Sequence, residues 1–278
     1  MAATGRGAGH EEARMNAMPA GPERETAALL WGRHAVAAAL AAGHPVNRIY
    51  LARDAKGAEI EQIKRLASER RVRFDFVAVG RLGRLSGTRA HQDVVAQLSP
   101  VAYLGVEELL ARAATAPAAT VVALDRLQHP GNVGMAVRTA AAAGVAGLLL
   151  PARGGRLVTG QVARAAAGAV FRVPMATSAN LARDLARFRQ AGFWLYGLDS
   201  RGTACVFDVD WPPRRVLVAG HEAEGLRPLV RRTVDELVRI PLAAGVESLN
   251  VCVALGVALF EIVRHEASGQ AGTAEAQR

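Results

Sequence analysis

The sequence predicts an α/β protein made of two unequal units, and three observations lead there. Segments with strand and helix periodicity alternate through most of the chain. In the C-terminal half the strand segments are short and apolar throughout, as in a parallel sheet covered on both faces. A helical linker over residues 105–119, containing Ala, Glu and Pro and ending at Pro117, separates a smaller region, 29–104, from a larger one, 120–266.

Residues 1–28 are Gly, Ala, Glu and Arg without periodicity and read as a disordered tail, as does 267–278. In the smaller unit a helix is expected from Arg33 to Ala42, stopped by Gly43. A strand follows at 46–52. An amphipathic helix over 58–71 places Ile60, Ile63, Leu66 and Ala67 on one face. Strands at 73–79 and 93–98 flank a short helix near Leu82. In the larger unit strands are expected at 121–124, 146–150, 193–198 and 216–219. Helices are expected at 134–143, 161–167, 181–191 and 227–237, with a final one from about Leu249 to His265.

The chain has 278 residues and a net charge of +9, which favours a polyanionic partner, nucleic acid before membrane. Residues 29–104 hold twelve basic and six acidic residues, a net of +6, so the smaller unit carries the densest positive charge. Apart from Lys56 and Lys64 every basic side chain is Arg, whose planar fork suits phosphate; a GC-rich coding sequence explains the same bias. Cys205 and Cys252 match no metal or redox spacing, no metal site is expected, and two cysteines in this length suit a reducing cytoplasm. The apolar run Val251–Val263 is too short to span a bilayer, and the N-terminus lacks a signal-peptide core, so no membrane association is expected.

Three stretches of the larger unit are nearly free of charge yet keep a few polar residues. Between Leu127 and Ala152 the one charged residue is Arg138; between Ile240 and Phe260 it is Glu247; in Val216–Leu226 there are Glu222 and Glu224, bracketed by Gly220 and Gly225. A lone Arg on an Ala-rich helix is either half of a structural ion pair or aimed at an anionic substrate. Pro130-Gly131-Asn132 is a turn leading into a helix that Asn132 would cap, or a phosphate site at that helix start. Ser248 and Asn250 open the final helix as caps or as site residues.

In this order and spacing the three stretches resemble the signature motifs of the SpoU ribose methyltransferases, within the SPOUT superfamily. Pro130, Asn132, Gly134 and Arg138 match the first motif; Gly220, Glu222, Gly225 and Leu226 the second; Ile240, Pro241, Gly245, Ser248, Leu249 and Asn250 the third. The resemblance runs from about Leu29 to His265 and includes Gly32-Arg33-His34 at the start of a small RNA-binding unit. His129, Ala223 and Asp93 stand where the family often has Asp, Gly and Gly.

The resemblance implies a parallel sheet with a deep trefoil knot, a homodimer, and methyl transfer from S-adenosyl-L-methionine to a ribose 2′-hydroxyl of structured RNA. The expected target is a guanosine of 23S ribosomal RNA. It implies Gly220, Ile240, Leu249 and Leu198 as cofactor contacts. It implies Arg138, Asn132, Glu222, Ser248 and Asn250 as the catalytic group, with Glu222 expected to pair with Arg138. The alternatives are a tRNA or resistance methylase of the same fold, favoured by activity on those RNAs, and a non-catalytic ribosome-assembly factor, favoured by failure to bind the cofactor.

Overall fold

The computed structural model describes residues 28–127, 129–152 and 158–275. The tail expected over 1–28 lies outside these residues, except Ala28, which opens the first strand.

The small unit comprises β1 (Ala28–Trp31), α1 (Arg33–Ala41), β2 (Val46–Ala52), α2 (Ala58–Glu69), β3 (Phe74–Val77), α3 (Val79–Ser86) and β4 (Val94–Leu98). Its sheet runs β1-β4-β2-β3, with β4 antiparallel to both neighbours and β2 parallel to β3 at the edge. The apolar stripe of α2, Ile60, Ile63 and Ala67, is fully buried, as its helical spacing requires.

The large unit starts with α4 (Val106–Thr115), the helix expected in the linker, which packs and buries Val106, Leu109 and Ala113. There follow β5 (Ala119–Leu124), α5 (Pro130–Ala142), β6 (Gly147–Pro151), α6 (Gly160–Ala165), β7 (Met175–Ser178), α7 (Leu181–Gln190), β8 (Trp194–Leu198), β9 (Ala204–Cys205), β10 (Arg214–Ala219), α8 (Pro228–Thr233), β11 (Glu236–Arg239) and α9 (Val251–Glu275). The seven strands lie in the order β7-β6-β5-β10-β8-β11-β9, every pairing parallel. Alternation along β10 divides the core: Leu217 and Ala219 face the cluster under α5 and α9, while Val216 and Val218 face the cluster under α4 and α7. Among the described residues no helix is long and apolar enough to cross a membrane.

Three sequence expectations change. The helix expected over 227–237 is the short α8 followed by β11. Asp235 wins over helix continuation: its N–H donates to the Leu195 carbonyl (2.8 Å) while its carboxylate accepts from the Leu195 N–H (2.8 Å), so the chain turns into register with β8. Helix α5 starts at Pro130 rather than 134, because proline is favoured at a first helical position, where no N–H is needed. Helix α9 continues to Glu275, past the boundary of the tail expected from 267, with no proline to stop it.

The two units meet along β1 and α6. A Cβ on Gly160 would stand 1.9 Å from the Leu29 carbonyl oxygen and 2.5 Å from Trp31 Cζ3, so only a glycine admits this approach. His44 and Phe171 add a ring contact across the seam, with centroids 4.6 Å apart. On the α9 face of the sheet Arg215, 1% exposed, donates to Thr120 Oγ1 (2.9 Å) and pairs with Glu266 of α9. Burial pushes its guanidinium pKa down to about 10.

Candidate functional site

The strand order reverses between β5 and β10. The chain winds outward from β5 through β6 to β7, then crosses back to build the other half of the sheet. In a parallel sheet the crevice at the carboxyl ends of the strands flanking such a reversal is the natural ligand site. The segments leaving β5, β8, β10 and β11 do converge there.

A cavity of about 400 Å³ lies among them. Leu198 and Asp199 follow β8, Gly220 to Gly225 follow β10, Ile240 and Leu242 follow β11, and Ser248, Leu249, Val251 and Ala254 lead into α9. All four positions expected to hold a cofactor, Leu198, Gly220, Ile240 and Leu249, stand on its wall, as do Glu222 and Ser248.

The turn after β10 is tight. His221 and Gly225 exchange two backbone hydrogen bonds of 2.9 Å, and Gly225 takes φ +68°. A Cβ on Gly220 would fall 2.3 Å from the Gly225 carbonyl carbon, so a side chain there would force the turn open. His221 Nδ1 accepts from the Ala223 and Glu224 N–H groups, which fixes the turn further.

The polar residues gather at one side of the cavity. Asn132, in the first turn of α5, donates its amide to Glu222 Oε1 at 2.8 Å. Asn250 Nδ2 approaches Asn132 Oδ1 at a long 3.5 Å, and Asn250 Oδ1 accepts from the Cys252 N–H at 2.9 Å. Cys252 Sγ donates to the Asn132 carbonyl at 3.1 Å, and burial pushes this thiol up to about 11, so it stays a neutral donor. Burial also raises the Glu222 pKa, but the Asn132 hydrogen bond, the residue's own N–H and nearby His221 more than offset this, leaving the carboxyl below its usual range. Glu222 is therefore a fixed negative charge at neutral pH.

The expected Glu222–Arg138 pair does not form within the chain. Glu222 is engaged by Asn132, with His221 at 3.9 Å, while Arg138 is exposed and has no ion-pair partner among the described residues. The geometry of α5 explains the separation. Six residues turn a helix by about 600°, which leaves Arg138 roughly 120° around the axis from Asn132. The i, i+3 row Asn132–Met135–Arg138 winds from the cavity side onto an outer face.

Sequence reasoning missed Asp125 and Asp199. Asp125, fully buried after β5, accepts from the Arg227 N–H (2.8 Å) and Nε (2.6 Å) and so ties that strand end to α8. Asp199 is held by Arg201 Nε at 3.1 Å and by Arg231. Burial raises its pKa, but the arginines outweigh it and the carboxyl stays below its usual range. Their place at the carboxyl ends of apolar strands was the available signal.

The cavity's contents suit an adenosine-bearing sulfonium compound. Leu198, Val238, Ile240 and Leu249 offer apolar walls for a base, and Glu222 and Glu247 offset a positive charge.

Comparison with known proteins bears on the same regions. Residues 119–260 match the model of the SpoU rRNA methylase family, and residues 29–104 match the model described as RNA 2′-O ribose methyltransferase substrate binding. An uncharacterized tRNA/rRNA methyltransferase of Mycobacterium avium (strain 104) is 39% identical over 248 residues, 88% of this chain and 80% of the relative. The SpoU methyltransferase AviRb from Streptomyces viridochromogenes, solved with AdoMet, superimposes with a TM-score of 0.75 at 26% identity, over 88% of this chain and 92% of its own. An AdoMet-bound rRNA methyltransferase from Sinorhizobium meliloti gives 0.72 at 27% identity, over 87% and 89%.

Proposed function

The chain belongs to the SpoU family of RNA 2′-O-ribose methyltransferases and uses S-adenosyl-L-methionine, and from that premise we propose that it methylates a guanosine ribose of 23S ribosomal RNA. The observation that carries the ribosomal reading is the small unit: it is the most basic part of the chain, and it is included in the match to an rRNA methyltransferase. In this reading residues 29–104 grip RNA and residues 120–266 carry out the transfer.

The donor sits in the cavity at the carboxyl ends of β8, β10 and β11, against Leu198, Gly220, Ile240 and Leu249. Bound there, S-adenosylmethionine would supply a sulfonium methyl group to a ribose 2′-oxygen, leaving as a neutral thioether while the hydroxyl proton passes to solvent. The chain's own part is to orient the ribose and fix charge beside it. Glu222, held ionised by Asn132, sets the negative side of the site. Asn250 and Cys252 lock Asn132 in place, and Ser248 offers a hydroxyl to the nucleotide. Arg138 holds the phosphate next to the target ribose. A guanidinium holds its proton too firmly to act as a base, so its role is positioning and not proton removal.

A second copy of the chain completes the site in this reading. Met135 on α5, the helix that carries Arg138, and Val253 and Phe260 on α9 are each about half exposed and support an apolar homodimer face there. Packing two copies on it would desolvate Arg138 and set it near a cavity. The trefoil knot belongs to the same proposal, since the segments it would interlace, 199–203, 220–226 and 240–250, are those around the cavity.

The test is transfer of labelled methyl to unmodified ribosomal RNA and, separately, to tRNA. Label on ribosomal RNA that makes one linkage resistant to alkali, and that is lost in Arg138→Ala, supports the proposal. Label on tRNA alone overturns the substrate, and no transfer with no cofactor binding overturns the enzymatic reading.

A further inference from the structure

The face of the small sheet that meets the catalytic unit also carries an aromatic ring with two cations near it. Trp31, Val95, Tyr50 and Asp75 are register partners on β1, β4, β2 and β3, so their side chains stand in one row on one face. At one end of the row Trp31 packs against Gly160 of the large unit. Toward the other end the Tyr50 ring, half-buried, has two guanidinium groups over it: Arg81 at 5.7 Å and Arg48 at 6.0 Å from its centroid.

The two arginines differ. Arg48 is tied to Asp75 at 2.7 Å, whereas Arg81 is exposed and has no ion pair among the described residues. Arg81 is therefore available to a phosphate beside the ring. The nearby pair Lys64–Phe76 does not belong to this patch. Phe76 pairs in register with Leu51 on the opposite face, and Lys64 is held by Glu61 at 2.8 Å.

We infer that Tyr50, with Arg48 and Arg81, is a stacking site for an unpaired RNA base, whose flanking phosphate Arg81 takes. This rests on the reading of the chain as an RNA methyltransferase and names a recognition element outside the methyl-transfer site. A duplex keeps its bases stacked inside and would gain nothing from the ring. Bases of a loop or bulge can be splayed out and stack on aromatic or guanidinium planes. A unit of net +6 supplies the long-range attraction, and the ring selects single-stranded character.

The experiment uses the full chain and three labelled RNAs: oligouridylate of twelve nucleotides, its abasic counterpart, and a duplex of equal length. Fluorescence anisotropy reads affinity for each. Oligouridylate should bind more tightly than the abasic strand. Tyr50→Leu should weaken oligouridylate about tenfold to a hundredfold, the range for loss of one stacked base, with abasic and duplex binding within about twofold. Tyr50→Phe, which keeps the ring, should match wild type. Arg81→Gln should lower the salt-dependence slope for oligouridylate by about 0.7, one phosphate contact on a single strand. Equal loss on all three RNAs in Tyr50→Leu, or no loss on oligouridylate, overturns the stacking site, as does an unchanged slope in Arg81→Gln. Cofactor binding and methyl transfer are measured on the same preparations. Their absence in wild type refutes the enzymatic reading independently, whereas the selective loss in Tyr50→Leu is judged on binding alone.

Discussion

Gly220→Ala tests the cavity wall most sharply. The added methyl would sit 2.3 Å from the Gly225 carbonyl carbon, 2.5 Å from its oxygen and 2.6 Å from the Leu226 nitrogen. All three are backbone atoms, so no rotamer change can make room. The turn must open, and the two 2.9 Å hydrogen bonds between His221 and Gly225 are the bonds it breaks first. At about 1 kcal/mol net for each bond, with overpacking of ~1–3 kcal/mol as the alternative route, the expected loss of stability is about 2–3 kcal/mol. Because Gly220 and Glu222 to Gly225 form one wall of the cavity, affinity for S-adenosylmethionine should fall at least about tenfold. Urea denaturation reads the first quantity and isothermal titration with the cofactor the second. Gly225→Ala is the control: nothing lies within 4 Å of its Cβ, and its φ of +68° makes it a backbone penalty with no obstruction of the wall. Wild-type cofactor affinity in Gly220→Ala, with stability reduced, would refute the placement of the donor in this cavity.

Three further outcomes follow from the same geometry. Arg138→Ala should leave stability within about 0.5 kcal/mol and cofactor affinity unchanged, because the side chain is exposed and unpartnered among the described residues, while kcat falls; titration and single-turnover transfer separate these. Glu222→Gln should flatten the acid side of the stability–pH curve. The folded pKa of Glu222 lies below its unfolded value, so its contribution is complete above the ordinary carboxylate pKa of about 4.3 and is lost as pH falls through the lower folded value; urea melts between pH 3 and 7, roughly that window, check it. Gly160→Ala should separate the small unit from the large one, since its Cβ would overlap the Leu29 carbonyl at 1.9 Å. Hydrogen exchange should rise along β1 and α6 and RNA affinity should fall, with cofactor binding kept.

Much of the fold was legible because strand alternation and apolar content carry it directly. The strands that form the sheet's centre, β5, β6, β8 and β10, are the most uniformly apolar runs of the large unit, and they were located from that alone. β11 was hidden because Glu236-Leu237-Val238-Arg239 reads equally as a helix end; what decides it is the pairing of Asp235 with Leu195, 40 residues away in sequence. β9 has two residues, too few to show any period. The candidate site was legible as a set of charge-poor stretches, since a residue type that is rare in its surroundings draws notice. The partner of each was not. Glu222 and Arg138 looked like a pair because both were isolated, yet a neutral amide, Asn132, takes Glu222, and rotation along α5 carries Arg138 elsewhere. Asp125 and Asp199 escaped notice because their distant partners, Arg227 and Arg231, are brought to them only by the parallel crossovers.

Where the methyl donor sits decides the mechanism most directly. A crystal structure of the full chain soaked with S-adenosylmethionine or a stable analogue settles it. The account predicts density against Leu198, Gly220, Ile240 and Leu249, with the reactive methyl toward the side where Asn132, Glu222 and Asn250 gather. Density elsewhere, such as the open depression beside Trp194 and Arg231, with the cavity empty at saturating ligand, would contradict it.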